Sequence, residues 1–201
     1  MSAGGKPSKP SGTYLPLSLV LDVFALKKVM RTGWPALLEQ LAERRESVAE
    51  HSFGVALLCM LFAREEKLDV NHCVMLALCH DLHEALCEDI PLKKLKSPAD
   101  FVFKKKRERE AFESLIARVP VHAKYVLNRY WQEFVEGRSK AAMFVHDMDR
   151  VDMAIQALLY ARTTSQKQPF LEFIEYAKHR VKSQTAKRLI KDIEAQSRRI
   201  D

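Results

Sequence analysis

The sequence predicts an all-α domain, on three observations. Glycine is scarce, with six in 201 residues and three of those in the first twelve. Apolar residues recur at steps of three and four through most of the chain, which is the helical period. Alternating apolar and polar residues bounded by turn signals, the mark of a strand, are hard to find. The apolar share of 47% and charged share of 29% are those of a globular chain. A chain of 201 residues is long enough to bury one ordinary core.

The elements follow in order. Residues 1–13, rich in Gly, Ser, Pro and Lys, are expected to form a disordered tail. One domain is expected over 14–201, with a core at about 17–162 and C-terminal helices over 169–199. Pro16 precedes a first helix, about 17–30, and Gly33 and Pro35 punctuate the turn after it. Ser47 followed three residues on by Glu50 is a capping box, opening a helix to about 65. Asp69 can cap the next, about 70–87, and Pro91 closes that region. Ser97-Pro98 places proline at a first helical position, opening a charged helix to about 118. Pro120 opens another to about 136, stopped by Gly137. Ser139 caps a long helix to about 164, Pro169 opens one to about 179, and a basic helix closes the chain near 183–199.

Composition excludes several classes. The longest apolar run, Val55 to Ala63, ends at Arg64, far short of the roughly 20 residues that span a bilayer. The N-terminus lacks the apolar core of a secretory signal. The net charge of +7 comes largely from Lys104–Arg109 and from the tail after Lys178. Neither stretch has interleaved aromatics, so nucleic acid is not an expected partner. The run from Lys104 to Glu110 reads as a solvated face of paired acids and bases. Tyr130, Trp131 and Phe134 read as packing or an interface. Cys59, Cys73, Cys79 and Cys87 form no C-x-x-C pair and fall among apolar residues. They read as free buried thiols of a reducing compartment, and a cytoplasmic location is expected.

Chemistry gathers on three core-facing stripes. On a continuous helix His80, Asp81 and Glu84 share an arc of about 100°, a face otherwise apolar. His51 lies in the stripe of Val48, Val55, Leu58 and Phe62. Asp149 shares a face with Ala142, Val145, Met153, Gln156 and Tyr160, and its neighbour Arg150 points elsewhere. Each group alone has a structural explanation, since a buried histidine or aspartate can simply be paired. Together they need something to satisfy them, because buried charge costs several kcal/mol unless paired or bound to a metal. Imidazole and carboxylate donors suit a divalent ion, and helices that each offer ligands to a bundle core are a recurring way to hold one.

The same residues carry a family resemblance. Arg45 to His51 (R-E-S-V-A-E-H), then His80-Asp81 some 29 residues on, then an aspartate in a late helix, resemble the HD superfamily. Arg31-Thr32-Gly33-Trp34, Glu84, Asp89-Ile90-Pro91 and Phe144 to Arg150 are similar to its 5′-deoxynucleotidase family, over about residues 17–162. The resemblance implies an HD-type helical bundle with one divalent metal in its core, drawn from Mn, Co, Fe, Zn and Mg. It implies His51, His80, Asp81 and Asp149 as ligands and Glu84 as the acid/base group. Asp89 would meet the sugar hydroxyl, Arg31 the phosphate, and Trp34 would shape the pocket against a 2′-hydroxyl. The implied activity is hydrolysis of deoxynucleoside 5′-monophosphates, in a homodimer. The alternatives are hydrolysis of another nucleotide or phosphate ester, and a catalytically weak scaffold or binding module. Two positions depart from the family pattern: Glu88 stands where glycine is usual, and His146 where lysine is common. His83 adds a titratable group that is expected to stay outside the chemistry.

Overall fold

The computed structural model describes residues 17–35, 38, 44–90 and 95–200. The expected tail over 1–13 and the break at Pro91 lie outside these residues. Nine α-helices are found among them. Helix α1 (Leu17–Phe24) tightens into a 3-10 turn (Ala25–Lys27), and α2 (Val48–Phe62) into another (Ala63–Glu66). Then come α3 (Val70–Cys79), α4 (Glu84–Cys87), α5 (Pro98–Ile116), α6 (Val121–Glu136), α7 (Lys140–Ala161), α8 (Gln168–Lys178) and α9 (Gln184–Ser197). No strand forms among the described residues; Met30 and Ser47 make an isolated antiparallel bridge.

Most helix starts are where side-chain chemistry places them. Ser47 and Glu50 exchange both capping-box bonds at the head of α2. Asp69 accepts from the His72 N–H at 2.6 Å, and Ser139 from the Ala142 N–H at 3.0 Å. Pro98 sits in the first turn of α5 behind the cap Ser97. Gly137 ends α6 in the left-handed conformation, φ 63°.

One expected helix is not continuous. Instead of running over 70–87, the chain leaves α3 at Cys79 and turns through His80–His83 before the short α4. His80 Nδ1 donates to the Ala77 carbonyl at 2.6 Å, taking the acceptor that a continuing helix would offer to the Asp81 N–H. The following bonds, such as Glu84 N–H to the Asp81 carbonyl at 3.0 Å, span three residues rather than four. His80 and Asp81 therefore stand on a turn, and the shared helical arc expected for His80, Asp81 and Glu84 does not exist.

Helix α7 is the hub, packing against α2, α3, α6, α8 and α9. The main core is drawn from these helices, with Val55, Cys59, Leu76, Val145, Met148 and Ile190 buried. A smaller core joins Leu19, Phe112, Leu115, Ile116, Val119 and Trp131. Trp131 stacks on Phe112 at 4.2 Å, Phe134 enters the main core, and half-buried Tyr130 packs against it. Buried Asp147 accepts from the Lys182 and Ser183 N–H groups, tying the entry of α9 to α7. All four cysteines are buried and free. No helix among the described residues is long and apolar enough to cross a membrane.

Candidate active site

Three elements converge beneath a cavity of about 570 Å³. From α2 comes His51, from the turn after α3 come His80 and Asp81, and from α7 come Asp149 and Asp152. His51 Nε2, His80 Nε2 and an Asp81 oxygen lie within 4.8 Å of one another. The two Nε2 atoms are 3.4 Å apart, Asp81 Oδ2 is 3.0 Å from His80 Nε2, and Asp149 Oδ1 is 3.2 Å from His51 Nε2.

Both imidazoles are oriented from behind. Because a carbonyl only accepts, the Ala77 contact makes His80 Nδ1 the donor and turns Nε2 toward the centre. His51 Nδ1 donates to Asp152 Oδ2 at 2.7 Å, which turns its Nε2 the same way. A carboxylate or carbonyl behind a histidine is the usual support of a metal-binding imidazole. Asp152 is a residue that sequence reasoning missed; its signal was its place three residues after Asp149, on the same side of α7.

The donor set fits a divalent cation. Ring nitrogens about 2.1 Å from one metal in tetrahedral array stand roughly 3.4 Å apart, as these two do. The electrostatics point the same way. Burial and Arg31 work to lower the His51 pKa, yet the Asp149 and Asp152 carboxylates on its two nitrogens push it up to about 10. Despite burial, His51 holds Asp149, and His80 holds Asp81, below the usual carboxylate range. The centre thus favours positive charge strongly enough to retain a proton where a cation fits.

Around the centre, the cavity carries the remaining residues expected to act. Arg31, Trp34, Glu84 and Asp89 all line it. Glu84 is buried, and its Oε2 has no hydrogen-bond partner among the described residues. Burial, then the charges of Asp81 and Asp89, push its pKa up to about 9. Arg31 Nη1 is 3.9 Å from Asp81 Oδ2. Burial opposes its charge, but Asp149 and Asp81 outweigh it and hold the guanidinium above its ordinary pKa. Asp89 is tied to the same loop, since its Oδ2 accepts from the Thr32 N–H at 2.6 Å and from the Thr32 hydroxyl at 3.1 Å. Glu46, part of the Arg45–His51 string but given no role by the sequence reading, accepts from Trp34 Nε1 at 3.2 Å, and burial pushes its pKa up to about 7 against the pull of Arg31.

The departures and charged runs also find places. Glu88 adopts φ 62°, ψ 164°, a conformation that suits glycine. His146 Nε2 donates to the Phe134 carbonyl at 3.0 Å, and its ring lies 4.0 Å from that of Phe134. Burial lowers its pKa, so it lines the cavity as a neutral ring rather than as the cation a lysine would bring. His83 is buried, accepting from Trp131 Nε1 at 3.3 Å with its Nε2 3.7 Å from Glu108. The α5 run is not simply a solvated face: Lys104 pairs with Glu108 and lines the cavity. Nothing in the sequence of α5 distinguished Lys104 from its neighbours, because the cavity wall exists only once α5 packs against α4.

An α-helical bundle with a mixed imidazole–carboxylate centre opening on a cavity defines a class of metal-centred domain. The chain belongs to the HD-domain family, whose model matches residues 23–194. It is 32% identical over 163 residues to the 5′-deoxynucleotidase HDDC2 of Xenopus laevis, covering 80% of this chain and 75% of that protein. It is 33% identical over 138 residues to the mouse 5′-deoxynucleotidase HDDC2, covering 67% of this chain and 64% of its relative. Among solved structures, a protein of Pyrococcus horikoshii superposes with a TM-score of 0.65 at 30% identity, over 90% of this chain and 98% of that one.

Proposed function

We infer that the protein is a metal-dependent 5′-deoxynucleotidase, a phosphomonoesterase that converts deoxynucleoside 5′-monophosphates to deoxynucleoside and phosphate. The observation that carries this is a buried carboxyl with an oxygen unpartnered among the described residues, Glu84, beside a His–His–Asp donor cluster at the floor of one cavity. The curated relatives support the substrate class.

His51, His80, Asp81 and Asp149 are the proposed ligands. A divalent ion held there supplies Lewis acidity and lowers the pKa of a nearby water toward neutrality. Arg31 binds the phosphoryl oxygens, where a guanidinium fits the charge and the geometry. Glu84, ionised when a cation at the centre offsets the charges of Asp81 and Asp89, would take the proton from the water that attacks phosphorus. As the bond from phosphorus to the 5′-oxygen breaks, the same carboxyl returns a proton to the leaving oxygen. Trp34 closes the wall against a 2′-hydroxyl and Asp89 accepts from the sugar hydroxyl. The donors suit Mn, Co, Fe, Zn or Mg. A single domain over 14–201, a homodimer and a cytoplasmic location belong to the same proposal, and light scattering in solution tests the dimer.

The test is phosphate release from a panel of deoxy- and ribonucleoside monophosphates, with metal content measured alongside. Metal-loaded protein is expected to prefer deoxynucleotides, and His80→Ala or Asp149→Ala to lose metal and at least a hundredfold in kcat/KM. Full activity in either variant sinks the assignment. Metal content without turnover on any monophosphate makes the protein a binding module instead.

A further inference from the structure

We propose that Glu46 is a positioning residue that sets Arg31 and Trp34 as one unit, so that the phosphate end and the sugar wall of the cavity are placed together. The inference rests on the substrate reading above. Arg31 and Trp34 follow the 3-10 turn at positions that are themselves neither helix nor strand. Glu46 Oε1 accepts from Trp34 Nε1 at 3.2 Å, and the same oxygen is 3.9 Å from Arg31 Nε. One carboxylate oxygen therefore addresses both side chains.

Glu46 is itself rigidly held. Its N–H donates to the Tyr160 hydroxyl on α7 at 2.8 Å, and its carbonyl accepts from the Arg31 N–H at 3.0 Å. The Val48 N–H donates to the Val29 carbonyl at 2.8 Å, pairing the loop with the entry of α2. Trp34 is packed between Tyr160 (5.1 Å, edge on) and Phe173 (4.7 Å). Packing confines the indole, and the hydrogen bond from its N–H sets which way the ring turns.

Glu46 is 7% exposed and is not among the residues that line the cavity, so it acts through its neighbours rather than on substrate. A buried ion pair is about neutral for stability against well-packed apolar side chains. Stability is thus a weak reason for a carboxylate here, whereas the fixed direction of two cavity side chains is a specific consequence of it.

Two substitutions separate the two contacts. Glu46→Gln keeps an acceptor for the indole N–H and removes the charge facing Arg31. Glu46→Met fills the same volume and removes both. With Glu46→Met we expect the ratio of kcat/KM for deoxy- over ribonucleoside monophosphates to fall roughly tenfold, the size of one lost buried hydrogen bond. Glu46→Gln is expected to keep that ratio and to raise KM for both substrates, and metal content stays unchanged in both variants. Because Glu46 acts through Trp34, adding Glu46→Met to Trp34→Phe should lower the ratio no further.

A second readout needs no activity. The chain has two tryptophans, so in a Trp131→Phe background Trp34 is the sole emitter. Glu46→Met should shift its emission and Glu46→Gln should leave it in place. An unchanged ratio in Glu46→Met, additive effects in the double variant, or unmoved Trp34 emission each overturns the proposal. If the wild type hydrolyses no monophosphate, the substrate reading fails, and the emission experiment alone decides the link from Glu46 to Trp34.

Discussion

Glu88 adopts φ 62°, ψ 164°, a region that L-residues with a Cβ rarely enter. Its N–H donates to the Glu84 carbonyl at 3.0 Å, closing α4 and aiming the chain toward Asp89. The side chain is exposed, so it gains little in exchange for the strain. Glycine is usual here in the resembled family, and the φ value supplies the physical reason. Strain at such a site costs about 1–3 kcal/mol, and glycine's larger unfolded-state entropy returns roughly 0.5–1 kcal/mol of that. Glu88→Gly is therefore expected to raise Tm by about 2–4 °C, the shift of roughly 1 kcal/mol in a domain of this size. A thermal melt that falls instead means that the glutamate makes a contact worth more than its strain.

Between elements, α2 approaches α7 closely at Gly54, where the missing side chain makes room. A Cβ on Gly54 would lie 1.9 Å from Asp152 Oδ1 and 2.9 Å from its Cγ. The missing side chain is the space in which Asp152 reaches His51 Nδ1. Gly54→Ala should push that carboxylate away and leave His51 without its orienting partner. Removing such support typically lowers metal affinity 10–100-fold, which titration of metal into the chelated protein measures. Unchanged affinity means that Asp152 can reach His51 from another rotamer. The periodicity of α2 made His51 legible as a polar group in the core, but a glycine on a helix face carries no mark of what presses against it. The break after α3 was equally hidden, since α3, the turn and α4 keep helical spacing of apolar residues while His80 takes the Ala77 carbonyl.

At the scale of the molecule, the proposed metal joins α2, the turn after α3, and α7, the hub of the main core. A ligand that binds only the folded state stabilises it by about 2.7 kcal/mol at a hundred times its Kd. Chelation should therefore lower Tm by roughly 5–10 °C. The loss should also grow with pH. Glu84 and His51 have folded-state pKa values pushed up to about 9 and about 10. Groups raised in this way stabilise the fold fully below their unfolded values and lose that contribution as pH rises through the folded ones. For Glu84 the loss begins near its ordinary 4.5 and for His51 near 6.5. Asp81 and Asp149 are shifted down, so their contribution is lost only in acid, below the usual carboxylate range. From pH 6.5 to 9 the chelated protein should thus melt at progressively lower temperature. The metal-loaded protein should change less, because a cation replaces the proton at the centre. Parallel melting curves across that range contradict this account.

The sequence by itself determined the helical class, most helix starts and the polar groups stranded on apolar stripes. Those features follow from local chemistry: period, caps, proline and left-handed glycine act within a turn or two of themselves. It also marked His51 and Asp149 through real core-facing stripes, and His80, Asp81 and Glu84 through an arc that the turn after α3 breaks, as residues that needed partners. Only the tertiary structure decided who the partners are. Asp152 behind His51, Glu46 beneath Arg31 and Trp34, and Lys104 at the cavity wall all depend on contacts between distant segments. Such contacts are set by how helices pack, and no residue's own neighbourhood in the chain records them.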